Sequence, residues 1–125
     1  MVRIKRVYEL PSRTDGERVL VDRLWPRGLS KRAATVDAWM KEVAPSHTLR
    51  KWFHHHPERW TEFQRRYRAE LRRHRDELTV LRRKAQRGTM TLLFGSRDVE
   101  HNNAVVLKSL LERRASSRTP RRPAA

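Results

Sequence analysis

The chain contains no cysteine, which excludes disulfide scaffolds, thiolate metal sites and cysteine nucleophiles together. Nothing in it calls for an oxidising compartment. Glycine is scarce, with only four residues, and no G-x-G-x-x-G, Walker loop or G-x-S-x-G elbow occurs, so the common nucleotide cradles and the hydrolase elbow are excluded as signatures. Any phosphate site must therefore be built from side chains and helix ends. No cofactor signature is present. The opening MVRIKRVYELP has no long apolar segment after its charges, which argues against a signal peptide or a membrane span. A cytoplasmic protein without membrane association is the expectation.

Acidic residues are also in short supply. Fourteen Asp and Glu face 30 Lys and Arg, giving a formal net charge of +16 in 125 residues. A field of that sign attracts phosphate-rich partners, nucleic acid first among them, without any sequence recognition. A solvated basic exterior is the alternative. The length fits one compact domain with a real core.

Residues 2–8, VRIKRVY, alternate apolar and basic as a strand with one exposed face does. PSRTDGE supplies turn residues, Asp15 and Gly16 in particular. RVLVDRL at 18–24 holds three consecutive apolar residues and suits a strand covered on both faces. TVDAWMKEV at 35–43 fits a short strand or a helix. Ser46 is a candidate N-cap for a helix with Leu49, Trp52 and Phe53 on its apolar stripe. Pro57 suits the first turn of the next helix, where Trp60, Phe63, Tyr67 and Leu71 define a buried stripe, and His56 is expected to cap it. That spacing favours a core over a base-stacking surface. A third helical piece spans about 76–87, with Gly88 as its stop. Across 57–87, 11 Lys and Arg face 5 Asp and Glu, a ridge for phosphates or a wet surface laced by pairs such as Glu62 with Arg66. TMTLLFG at 89–95 reads as a second inner strand, followed by a helix built on Ala104, Val105, Leu107, Leu110 and Leu111. The end, SSRTPRRPAA, reads as a disordered basic tail. These elements describe a single-domain α/β sandwich over 1–115 with a mainly parallel sheet, and a tail over 116–125.

In open parallel sheets, ligands bind at the carboxyl ends of strands where neighbouring crossovers diverge. Both inner strands exit into polar loops there. The first carries Asp22, Arg23, Trp25, Arg27 and Gly28; the second carries Gly95, Ser96, Arg97, Asp98, Glu100, His101, Asn102 and Asn103. Arg23 and Arg27 offer planar donors for a carboxylate or phosphate, and Gly28 lets backbone approach closely. Imidazole is the side chain of these loops suited to proton transfer at neutral pH, so His101 is the candidate acid or base. Asp98 and Asp22 could orient it or a water. The structural alternatives are an Asp22–Arg23 ion pair, Trp25 with Pro26 closing the core edge, Asp98 as a turn or cap residue, and Asn102 and Asn103 satisfying the helix start. A metal at His54–His56 is not expected, because three neighbours on a helix cannot converge on one ion.

VLVDRLWPRGLSK, the block APS-x-x-LRKWFHH-x-PERW-x-EF-x-x-RY-x-x-EL from Ala44 to Leu71, and TLLF-x-x-x-D-x-EHN-x-AVVL from Thr91 to Leu107 resemble the bacterial domain-of-unknown-function family numbered 488, in its short branch. The resemblance spans roughly residues 3–112. It implies a Rossmann-like three-layer α/β fold and no established activity. Longer members carry a cysteine, a histidine and an arginine near the end of the second loop. Asn102, Asn103 and Ala104 stand there in this chain, so cysteine chemistry is not carried over.

The expectation is an α/β protein that binds a small anionic, phosphorylated or nucleotide-like ligand between loops 22–28 and 95–103, with or without turnover. Arg23 and Arg27 would hold the anion beside Trp25 and Gly28, His101 would move a proton, Asp98 or Asp22 would position it, and Asn102 would orient substrate or water. The alternative is a nucleic-acid-binding module using the helical ridge and the tail.

Overall fold

The computed structural model describes residues 1–117, with side chains to 113. Of the tail expected at 116–125, residues 118–125 lie outside the described residues. Four strands, β1 (Val2–Arg6), β2 (Glu17–Leu20), β3 (Ala38–Trp39) and β4 (Met90–Phe94), form one sheet in the order β1-β4-β2-β3. Every pairing is parallel: β4 is flanked by β1 and β2, and β3 continues from β2. The helices are α1 (Lys31–Ala34), α2 (His47–Phe53), α3 (Trp60–Leu71), α4 (Arg75–Arg87) and α5 (Asn103–Ser117).

The strand sequences explain the layers. Side chains alternate across a strand, so Val19 and Val21 of the β2 segment and Met90, Leu92 and Phe94 of β4 face one side, where they pack with Phe63, Tyr67, Leu71, Leu78, Leu81, Val106, Leu107 and Leu111. Leu20 and Leu93 face the other side, joining Val7, Ala34, Trp25, Leu29, Val36 and Trp39. Both inner strands are thus buried on both faces, as their unbroken apolar runs require. Helices α2 to α5 cover the first face; α1 and the surrounding loops cover the second.

Local signals act as expected at several positions. Ser46 accepts a hydrogen bond from the Leu49 amide and starts α2, and Pro57 opens a short 3-10 turn leading into α3. Other expectations are corrected. Segment 35–43 is neither one strand nor one helix: it gives the two-residue β3 and a 3-10 turn at Lys41–Val43. His56 contributes no side-chain cap; its Nδ1 lies 3.0 Å from Glu58 Oε2 instead. On α5, Ala104, Leu107 and Leu111 are buried as expected, while Val105 and Leu110 are only half-buried and Val106 is buried in addition.

Candidate functional site

At its carboxyl end β2 leads to α1 on one face of the sheet, and β4 leads to α5 on the other. The two central connections diverge there, leaving a crevice between adjacent parallel strands. Asp22, just beyond β2, closes its base. Its Oδ2 accepts the Gly95 N–H at 2.8 Å and its Oδ1 accepts Asn103 Nδ2 at 3.1 Å, while Asn103 also donates to the Val21 carbonyl at 2.9 Å. The ends of β2 and β4 and the start of α5 are tied together by these bonds. Burial pushes the Asp22 carboxyl up from the ordinary aspartate value, against the Gly95 amide, the Asn103 amide and the Arg50 charge.

Above Asp22 opens a cavity of about 740 Å³. Phe53 and Phe63, stacked with centroids 4.4 Å apart, form its apolar wall. Its arginines are Arg23, Arg50 and Arg97, its imidazoles are His54, His55, His56 and His101, and its carboxylates are Asp22 and Asp98. Arg23 makes no ion pair with Asp22. It reaches across the cavity mouth, donating from Nε to the Pro45 carbonyl at 3.3 Å and from Nη2 to the Ala44 carbonyl at 3.2 Å, which leaves further guanidinium donors for a ligand.

The second loop is a compact local knot. Asp98 Oδ1 accepts the amides of Glu100 and His101, both at 3.0 Å, and Oδ2 lies 3.0 Å from His101 Nδ1. Against the opposing cost of burial, the His101 ring and those two amides hold the Asp98 carboxyl below its ordinary value. The imidazole packs edge-on against Trp60 at 5.0 Å. Asn102 precedes α5, accepts the Val105 amide at 3.1 Å and donates to the Asp98 carbonyl at 2.9 Å. It caps the helix and fixes the loop together.

Of the residues expected at the site, Asp22, Arg23, Asp98, His101 and Asn102 meet on this cavity. Trp25, Arg27 and Gly28 do not line it. Trp25 packs against Trp39 at 5.3 Å in the opposite core and donates Nε1–H to the Leu29 carbonyl. Arg27 is exposed and its carbonyl accepts the Tyr8 hydroxyl. Gly28 takes a left-handed φ of 78° in open space. The sequence offered no signal for Arg50, His54 and His55 as cavity residues, because they arrive on α2 and its exit from a different part of the chain. His55 has φ 62°, left-handed backbone that a non-glycine residue adopts at a cost of about 1 to 3 kcal/mol. Among the described residues no group of His, Asp and Glu is placed to hold a metal ion, and no helix is long and apolar enough to cross a membrane.

Fold and crevice define the class: a small parallel α/β protein with a cavity lined by arginine and histidine at the strand carboxyl ends. The chain belongs to DUF488-N3i, the inactive DUF488-N3 subclade, whose family model matches residues 1–125. It is 46% identical over 113 residues to the uncharacterised protein Rv3073c of Mycobacterium tuberculosis, covering 90% of this chain and 95% of that one. It is 41% identical over 110 residues to the uncharacterised protein YeaO of Escherichia coli, covering 88% and 96%. No solved structure gives a significant match.

Proposed function

We propose that the protein binds a small phosphorylated, nucleotide-like anion in the crevice between β2 and β4. The carrying observation is the imbalance of the cavity lining: three guanidiniums and four imidazoles face two carboxylates, and both carboxylates already accept hydrogen bonds from the protein. Such a lining is a standing demand for negative charge. Arg23, Arg50 and Arg97 hold the anion, and His101, oriented by Asp98, adds a donor or a proton. Phe53 and Phe63 give an apolar group of the ligand a surface to lie against. The strained backbone at His55, beside this lining, is of the kind that collects at functional sites. The description of the family as inactive supports occupancy without turnover, so His101 serves recognition first.

Arg50 and Arg97 carry the test, because neither side chain has an ion-pair partner among the described residues. A panel of nucleoside phosphates and sugar phosphates is screened by thermal unfolding. A ligand at a hundredfold excess over its Kd stabilises the native state by about 2.7 kcal/mol, a midpoint rise on the order of 10 °C in a domain this small. Titration calorimetry should then show roughly ten- to hundredfold weaker binding for Arg50→Ala and Arg97→Ala, the worth of one charge-assisted hydrogen bond. A panel without a single stabilising compound, or a hit that both variants bind unchanged, would overturn the proposal.

A further inference from the structure

A second groove, of about 520 Å³, lies where the end of α3, the face of α4 and the later part of α5 meet. No residue lines both this groove and the crevice cavity. Its charged lining is arginine alone: Arg68 and Arg72 at the end of α3, Arg75 and Arg82 on α4, and Arg113 on α5. Not one carboxylate lines it. Arg72, Arg75 and Arg113 are exposed and have no ion-pair partner among the described residues. Arg68 donates to Ser109 Oγ at 3.4 Å, yet its Nε is buried without a hydrogen-bond partner, an arrangement that native proteins rarely leave unexplained. Elsewhere on the same helices arginines do find carboxylates, as Arg65 and Arg66 do with Glu62 at 2.5 and 2.8 Å.

Arg72, Arg75 and Arg113, brought to one groove from the end of α3, from α4 and from α5, are like charges that an anion between them would relieve. We propose that this groove seats the sugar–phosphate backbone of a nucleic acid and reads no base sequence. Three observations select that partner. All five cations are arginines, whose planar fork matches phosphate oxygens two at a time. The apolar floor is aliphatic, Leu71, Leu78 and Leu110, and no aromatic side chain lines the groove, so bases have nothing to stack on. Further exposed arginines stand on the same elements, Arg73 after α3 and Arg83 and Arg87 on α4, more positive charge than a compact ion would draw on. An acidic lipid surface fits less well, because of the six large exposed apolar residues only Val80 lies on these helices.

The experiment uses the full chain and a fluorescein-labelled 20-base-pair DNA of arbitrary sequence, with an RNA duplex of equal length as a second probe, read by fluorescence anisotropy from 50 to 200 mM NaCl. The groove variant carries Arg72→Gln, Arg75→Gln and Arg113→Gln. A control carries Arg3→Gln, Arg13→Gln and Arg32→Gln, three exposed arginines elsewhere on the surface. Both variants have net charge 16 − 3 = +13, so any difference between them is positional. Circular dichroism and a thermal midpoint verify that each is folded. The groove variant should bind on the order of tenfold or more weakly, with its log K against log salt slope shallower by about 0.9 for each phosphate that is no longer neutralised, while the control stays within about twofold of the wild type. Equal weakening in both variants would reduce the effect to net charge and overturn the groove. So would absence of binding at 50 mM salt, or wild-type binding to anionic vesicles that exceeds binding to both duplexes. Phosphate compounds in the crevice are read separately through Arg50→Ala and Arg97→Ala, so either site can fail without the other.

Discussion

Two aspartates sit at opposite ends of β2 and titrate in opposite directions. Asp15 receives Lys5 Nζ at 3.0 Å, Arg18 Nη1 at 2.5 Å and the Ser12 amide at 3.0 Å. Burial raises its pKa, but the Ser12 amide, Lys5 and Arg18 outweigh that cost, so its carboxyl lies below 3.8. A depressed carboxylate stabilises the fold fully at pH above its unfolded value and loses that contribution as pH falls through the native value. Asp22 has the opposite sign: its raised pKa makes ionisation a cost to the fold, one that is relieved on acidification. Asp15 is therefore a structural residue, whereas Asp22 is a carboxyl whose ionisation burial disfavours at the base of a cavity. Asp15→Ala should cost about 3 to 5 kcal/mol, because Arg18 stays buried without its counter-charge. Asp15→Asn should flatten the fall in thermal midpoint between pH 5 and pH 2. An unchanged acid limb in Asp15→Asn would place the acid-sensitive group elsewhere.

The elements were legible wherever the sequence pattern and the burial of the strand coincide. VLV and MTLLF are apolar-rich runs and became the two central strands, and of the 3-4-4 spacing of Trp60, Phe63, Tyr67 and Leu71 the last three are the buried stripe of α3, with Trp60 half-buried at its start. What stayed illegible depends on contacts distant in sequence. Ala38–Trp39 is a strand only because β2 offers an edge to pair with, and 35–43 carries no period of its own. The crevice was legible in part for the same reason: strand ends mark Asp22, Arg23 and the 98–102 knot, whereas Arg50 and His54–His56 join through the packing of α2. Trp25 read as a ligand residue because its neighbours are charged, yet its ring belongs to the second core. Gly16 is another such case. It reads as a turn residue, but its φ of 64° and its contact with β4 are tertiary: a Cβ there would lie 2.0 Å from the Thr89 carbonyl oxygen, where Glu17 pairs with β4 through the same carbonyl. Backbone cannot yield as a side chain tip does, so Gly16→Ala should destabilise by roughly 2 to 4 kcal/mol. Urea unfolding measures this directly, and a change below about 0.5 kcal/mol would mean that the β2–β4 entry is slack.

At the scale of the whole molecule, the +16 charge opposes the fold it decorates. Each of the 14 acidic residues can neutralise one of 30 basic ones, and several do, as in the Lys84–Glu17 pair and the Lys108–Glu112 pair at 2.7 Å. The excess remains, and compaction brings it together. Salt then acts in two directions. It weakens the attractive pairs, which are mostly exposed or partly so and contribute little each, and it screens the repulsion among the surplus cations, which is summed over the surface. Raising ionic strength from 0.01 to 0.1 M shortens the screening length from about 30 to about 10 Å, cutting repulsion between helices more than attraction between touching partners. The thermal midpoint should therefore rise with NaCl over that range, by several degrees. The groove variant with Arg72, Arg75 and Arg113 replaced should begin from a higher midpoint and respond less, since it lacks three charges that line one groove. The control variant, its removed charges dispersed, should respond nearly as the wild type does. A midpoint that falls with salt would mean that the ion pairs outweigh the excess charge, and Arg72, Arg75 and Arg113 would then have no energetic reason to seek an anion.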